Sequence, residues 1–216
     1  TGIPEHALQA EAALRAGFAV LCEKPAAGSW ADALRMKAAA DRAGLMLAVG
    51  YQHLQSSSLQ RIRSIALSGI LGRLVGARGL VLSPRSAAYY ERNRWAGRMS
   101  VDGVAVNDSP IQNAAGHYLM NLLFVAGGMP LSVRGESYRA AGIEGSDTQC
   151  LRATMDCGCQ IDFAASHAVP RAREIAKPIL ELLSGVPTIV YGYFALLFIT
   201  PILQRLIPSL PGFNLL

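Results

Sequence analysis

Glu23-Lys24-Pro25 directly follows a short apolar run, Phe18-Ala-Val-Leu-Cys22, that reads as a buried strand. In open α/β sheets ligands bind at the carboxyl ends of strands, so Lys24 stands where a substrate can lie. The same tripeptide also fits a surface turn with a solvated lysine, and spacing alone does not separate the two. Residues 83–98 hold a second concentration of chemistry. There Arg85, Tyr89, Tyr90, Arg92, Asn93 and Trp95 offer hydrogen bonds and flat stacking faces. Such a set suits a sugar or cyclitol, and equally a contact between subunits. Cys157-Gly158-Cys159 carries metal-binding residue types, but no second pair stands at ligand spacing and the three fall at an expected hairpin turn. No metal is therefore expected.

The elements that must position these groups alternate. A helical pattern over 4–16, with Pro4 early and Gly17 as its stop, precedes the first strand. Ser29-Trp-Ala-Asp32 has the form of a capping box and opens a helix ending at Gly44. A second buried strand is expected over 45–49, and a helix over 58–69. Short apolar strands alternating with helices imply a parallel sheet of the doubly wound kind. From Leu74 the style changes: a longer strand to Leu82, the polar aromatic loop, a helix over 110–126 ending at Gly127-Gly128, and strands near 147–156 and 159–167 turning at Cys157-Gly158. This second part reads as α+β with an antiparallel open sheet.

Bulk properties exclude little. The chain has 216 residues and a net charge of +5, with its basic residues scattered rather than clustered, so no nucleic-acid partner is expected. Four cysteines in a chain of this length give no secreted disulfide framework, and a reducing cytoplasm suits residues 1–168. The 51% hydrophobic content is raised by the C-terminal segment, where residues 182–203 contain no charge. About 20 apolar residues suffice to cross a bilayer, so residues 176–206 read as a membrane segment.

Longer stretches carry a family resemblance. Pro4-Glu-His6, AALRAGFAVLCEKPAA and LAVGYQ resemble the Gfo/Idh/MocA oxidoreductases, and LSGILGRLVGARGLVLSPRSAAYYERNRWAG and NDSPIQNAAGHYLMNLLFVAGG continue the match in order. The resemblance covers about residues 1–168. It implies part of a Rossmann nucleotide-binding domain over 1–55 and an incomplete open-sheet substrate domain over 56–168. It further implies NAD or NADP as cofactor, a sugar or polyol substrate, and a homo-oligomer formed through the sheet domain. By the same resemblance Lys24 and His117 are catalytic, and Glu23, Lys24, Pro25 and His6 line the cofactor. Asn113 stands where the family often has Asp, and i,i+4 spacing on one helix would let it converge with His117. The resemblance also implies a cis Lys24–Pro25 bond. His53 and His167 read as structural.

A dinucleotide fold uses G-x-G-x-x-G so that backbone can approach the pyrophosphate. No two glycines in this chain are spaced two apart. The family's order would place that loop before Thr1, so the chain is expected to be an N-terminally truncated fragment with impaired cofactor binding and no activity of its own. The segment from about 170 to the end, including PRAREIAKP and KPILELLSGVPTIVYGYFA, resembles the PstC-type permease subunit of phosphate ABC transporters. That implies an inner-membrane origin for the C-terminal segment. A chimera of neighbouring reading frames is the remaining expectation for how the two parts came together.

Overall fold

The computed structural model describes residues 1–170, and Thr1–Val169 form one compact unit. The expected membrane segment and permease-like stretch lie outside the described residues. Among the described residues no helix is long and apolar enough to cross a membrane.

The unit opens with α1 (Ile3–Arg15), β1 (Val20–Cys22), α2 (Trp30–Ala43) and β2 (Leu47–Val49). The two strands pair in parallel, Val20 beside Leu47 and Cys22 beside Val49. Both helices pack on this pair: Ala7, Ala10 and Met36 meet Cys22, and Leu14 meets Ala39 and Ala40. The small alanines let the helices approach closely, which suits a βαβ layer. The Ser29 hydroxyl accepts the Asp32 amide at 3.1 Å, as the capping box requires, and Gly44 closes the helix in the left-handed region at φ 63°.

A one-turn 3₁₀ helix, Gln52–Gln55, leads into α3 (Ser57–Leu67). The second part is built on β3 (Gly76–Leu82), the short α4 (Ala87–Glu91), a small hairpin β4–β5 (Ser100–Val101 and Val104–Ala105), α5 (Gly116–Ala126), β6 (Pro130–Tyr138), β7 (Thr148–Met155) and β8 (Gln160–Ser166). Its sheet runs β3-β8-β7-β6, with β3 parallel to β8 and the other pairs antiparallel. The sheet is thus mixed, not purely antiparallel as expected. One face is covered by α5, whose Leu119, Leu122 and Leu123 meet Ile161, Phe163, Met155 and Ala153.

The sequence reading missed three elements. Strand β6 is exposed at every residue, so it has no buried face to produce a period-two pattern, and Gly135 sits in its middle. The hairpin β4–β5 is two residues a side, too short for any pattern. Helix α4 interrupts the stretch expected as loop over 83–98. The turn between β7 and β8 is also wider than Cys157-Gly158, running from Asp156 to Cys159 with Gly158 at φ 80°.

Candidate active site

Lys24 lies in the loop after β1, at the carboxyl end of the parallel pair. Its stem runs past Gly116, where a Cβ would stand 4.0 Å from Lys24 Cδ. The ammonium then donates to the Asn113 carbonyl oxygen at 2.7 Å, with Asn113 Oδ1 at 3.4 Å. Residues 24 and 113 come from different halves of the unit, so this contact closes the space between them. Burial pushes the Lys24 ammonium below the usual lysine range, partly offset by the nearby carboxylates of Glu23 and Asp108. The Lys24–Pro25 bond is cis.

Residues 110–126 do not form one α-helix as expected. Pro110–Ala114 make a π turn in which the Ala115 amide reaches back to the Pro110 carbonyl at 2.7 Å, and α5 starts only at Gly116. The i,i+4 argument for Asn113 and His117 therefore fails in its stated form. The wide turn places Asn113 against Lys24, while His117 enters from the first turn of α5.

The His117 ring is half-buried, and its Nδ1 is buried with no hydrogen-bond partner. It stacks on His53, ring centroids 4.4 Å apart and planes 24° from parallel. Tyr51 meets it edge-on at 5.8 Å. Burial holds the His117 imidazole below the usual histidine range, helped by His53 and Lys24 and opposed by Glu23. A neutral imidazole beside a desolvated ammonium can take a proton from one oxygen while that oxygen is held by the other group.

Asp108 belongs to the same constellation and was not foreseen. Its side chain is 5% exposed; Oδ1 accepts Asn113 Nδ2 at 2.9 Å, and Oδ2 accepts the Gly97 amide at 2.7 Å. A buried carboxylate thus reaches Lys24 through the Asn113 amide, supplying negative charge that Asn113 itself lacks. The only sequence signal was an acid immediately before the Ser109-Pro110 helix start, which also fits an ordinary cap.

His6 is buried on α1 and its Nδ1 lies 2.8 Å from the Pro25 carbonyl, so it braces the Lys24 loop from below. Glu23 is exposed, with its carboxylate beside Gly50.

The residues of the polar aromatic loop are occupied with one another. The Arg92 guanidinium lies 3.5 Å from the Tyr89 ring centroid and the Arg85 guanidinium 4.4 Å from it. Asn93 Oδ1 accepts the amides of Trp95 and Ala96 at 3.0 and 2.8 Å, and the Tyr90 hydroxyl meets His167 Nδ1 at 3.2 Å. None of the six side chains is hydrogen-bonded to Lys24, Asn113 or His117. The loop joins the site through Asp108, whose carboxylate accepts the Gly97 amide and whose own amide donates to the Arg98 carbonyl at 3.0 Å.

Known proteins resemble parts of this chain in sequence and fold. Residues 2–51 match the family model GFO_IDH_MocA, the oxidoreductase family with an NAD-binding Rossmann fold. A 1-carboxy-3-chloro-3,4-dihydroxycyclo hexa-1,5-diene dehydrogenase of Comamonas testosteroni is 34% identical over 128 residues, 59% of this chain and 30% of that protein. A dTDP-3,4-didehydro-2,6-dideoxy-alpha-D-glucose 3-reductase of Streptomyces violaceoruber is 32% identical over 169 residues, 76% of this chain and 46% of the reductase. The WlbA dehydrogenase of Bordetella pertussis, solved in complex with NADH and UDP-GlcNAcA, superposes with a TM-score of 0.70 at 29% identity, over 78% of this chain and 51% of that one. Sequence and fold together support the Gfo/Idh/MocA oxidoreductase family. The chain spans about half the length, or less, of these relatives.

Proposed function

We propose that residues 1–168 carry the nicotinamide-facing and substrate-facing parts of an NAD(P)-dependent oxidoreductase acting on a hydroxyl or carbonyl of a sugar or cyclitol. In this reading residues 1–55 belong to the nucleotide-binding domain and 56–168 to the substrate domain. The observation that carries it is the Lys24 ammonium, partly desolvated and held at the Asn113 carbonyl between the two halves. The names of the relatives, a cyclic diol dehydrogenase and a nucleotide-sugar reductase, support the substrate class.

The residues present fit the nicotinamide end of such a cofactor. Lys24 sits at the carboxyl end of β1, and His117 keeps a buried nitrogen that a substrate hydroxyl would satisfy. The bound cofactor would supply a hydride acceptor or donor. Lys24 would donate a hydrogen bond to the reacting oxygen, and His117 would take its proton in oxidation and return it in reduction. Asp108 and Asn113 would hold the Lys24 head in place, while Pro25 and His6 fix the loop it comes from. The aromatic loop, through Tyr89, Arg92 and Trp95, would wall the substrate side, and the exposed outer face of the open sheet is where a second copy would pair.

The pyrophosphate end is not matched by any G-x-G-x-x-G in this sequence. A fluorescence titration with NADH is therefore expected to give a dissociation constant above about 0.1 mM, since the glycine loop and its helix N-terminus normally hold the phosphates. Micromolar binding would contradict this picture of how the cofactor is held. The membrane and permease-like reading of residues 170–216 rests on their sequence alone and forms no part of the proposal.

A further inference from the structure

Two imidazoles in face-to-face contact are an uncommon pairing, because each ring that gains a proton makes the next protonation harder. His53 comes from the 3₁₀ turn after β2 and His117 from α5, so the stack bridges the two halves of the unit. Its surroundings are ordered on both sides. Tyr51 meets the His117 ring edge-on, and Tyr118 meets the His53 ring edge-on at 6.0 Å. Asn121, one turn along α5, sets its Nδ2 3.4 Å from His53 Nδ1 and leaves its Oδ1 buried without a partner.

We propose that His53 is a positioning residue for His117: the stack fixes the plane of the His117 ring and sets a second imidazole against its face, where it opposes a positive charge on His117. The inference rests on the reading of His117 as the proton-handling group. Rings this near to parallel point no lone pair at each other's N–H, so His53 passes no proton to His117 directly. Its influence is through orientation and charge. The other titratable groups facing His117 are Lys24 and Glu23 from the loop after β1 and Tyr51 from the end of β2; Lys24 acts with His53 and Glu23 against it. The Asn121 amide suits both states of His53. As placed, Nδ2 donates to a neutral Nδ1; rotated, the unpartnered Oδ1 would accept from a protonated one.

The consequence is a His117 ring held in one plane and kept neutral near neutral pH, with a neighbour that keeps the proton it gains from being trapped. The test is a pH titration of the imidazole signals of the full chain by NMR. With four histidines in the sequence, each signal is assigned by its loss in a single substitution. In the wild type, the His117 signal is expected to titrate below the ordinary histidine range. In His53→Gln the like charge is gone, so the His117 midpoint should be raised by roughly half a unit or more. His53→Phe keeps a ring in the stack and should raise the midpoint in the same direction. His53→Ala should also broaden or split the His117 signal, because the ring plane is no longer held. Unchanged His6 and His167 signals in each variant show that the fold is intact. A His117 midpoint that stays put, or falls, in both His53→Gln and His53→Phe overturns the coupling. A loss of NADH response at His117 with the coupling intact would instead count against the oxidoreductase reading and leave the pair standing.

Discussion

Replacing Lys24 with Met is expected to weaken nicotinamide mononucleotide binding by about 10- to 100-fold, the usual size of one charge-assisted hydrogen bond, while leaving the fold in place. The ammonium is partly desolvated, so its removal relieves a penalty; it also frees the Asn113 carbonyl, so it forfeits a hydrogen bond. These oppose, and the unfolding free energy at neutral pH should stay within about 1 kcal/mol of wild type. The pH dependence gives the sharper readout. Because the folded-state pKa lies below the usual 10.5, the unfolded chain holds the Lys24 proton more tightly over the interval between the two values. Stability therefore rises with pH across that interval, and the contribution is lost as pH falls through the folded value. Lys24→Met should flatten this rise in denaturant melts taken from neutral to alkaline pH. A variant that unfolds at neutral pH would show Lys24 to be a structural tie rather than a functional head.

The largest stability effect is expected at Gly28. A Cβ there would collide with the Ala105 carbonyl oxygen, stand 2.6 Å from the carbonyl carbon, and come within 2.8 Å of Val106 Cα. All three are backbone atoms, so no side chain can swing aside. The segment is further tied by Asn107 Nδ2, which donates to the Gly28 carbonyl at 2.7 Å. Gly28→Ala should cost about 3 kcal/mol or more, at the top of the range for overpacking. The strain would fall on the contact that sets the Lys24 loop against the stretch holding Asp108 and Asn113. The substitution should therefore weaken nicotinamide binding even in molecules that remain folded. A thermal midpoint unmoved by Gly28→Ala would show that the two segments do not approach as closely as described.

Much of this was legible in the residues. Ser29 and Gly44 bound α2 because caps act within a single turn, and the place of Lys24 just after β1 is legible because a strand end is a local property. The Asn113–His117 pair differs from the expected geometry: Asn113 lies in the π turn and His117 in the first turn of α5, a break that helical periodicity alone does not mark. Asp108 escaped notice because its role needs both Asn113 and Gly97 as partners, neither of which marks it in the sequence. The aromatic loop was dense enough to be singled out. Its composition could not show that Tyr89 would be taken by two arginines, or that Asn93 would be used on its own turn. The stack of His53 on His117 is likewise invisible in the sequence, since only the tertiary fold brings the two rings together.

In the proposed function Lys24, Asn113 and His117 together receive the nicotinamide and the reacting oxygen. The most direct measurement is the imidazole NMR spectrum of the full chain during addition of NADH, followed at concentrations where fluorescence reports binding. The account predicts that the His117 signal moves and that His53, stacked on it, moves with it. His167, whose Nδ1 meets the Tyr90 hydroxyl and which is not in contact with His117 or His53, should stay fixed. Lys24→Met should suppress the His117 shift at the same NADH concentration. NADH binding that leaves His117 unmoved, or that shifts His167 instead, would contradict the account.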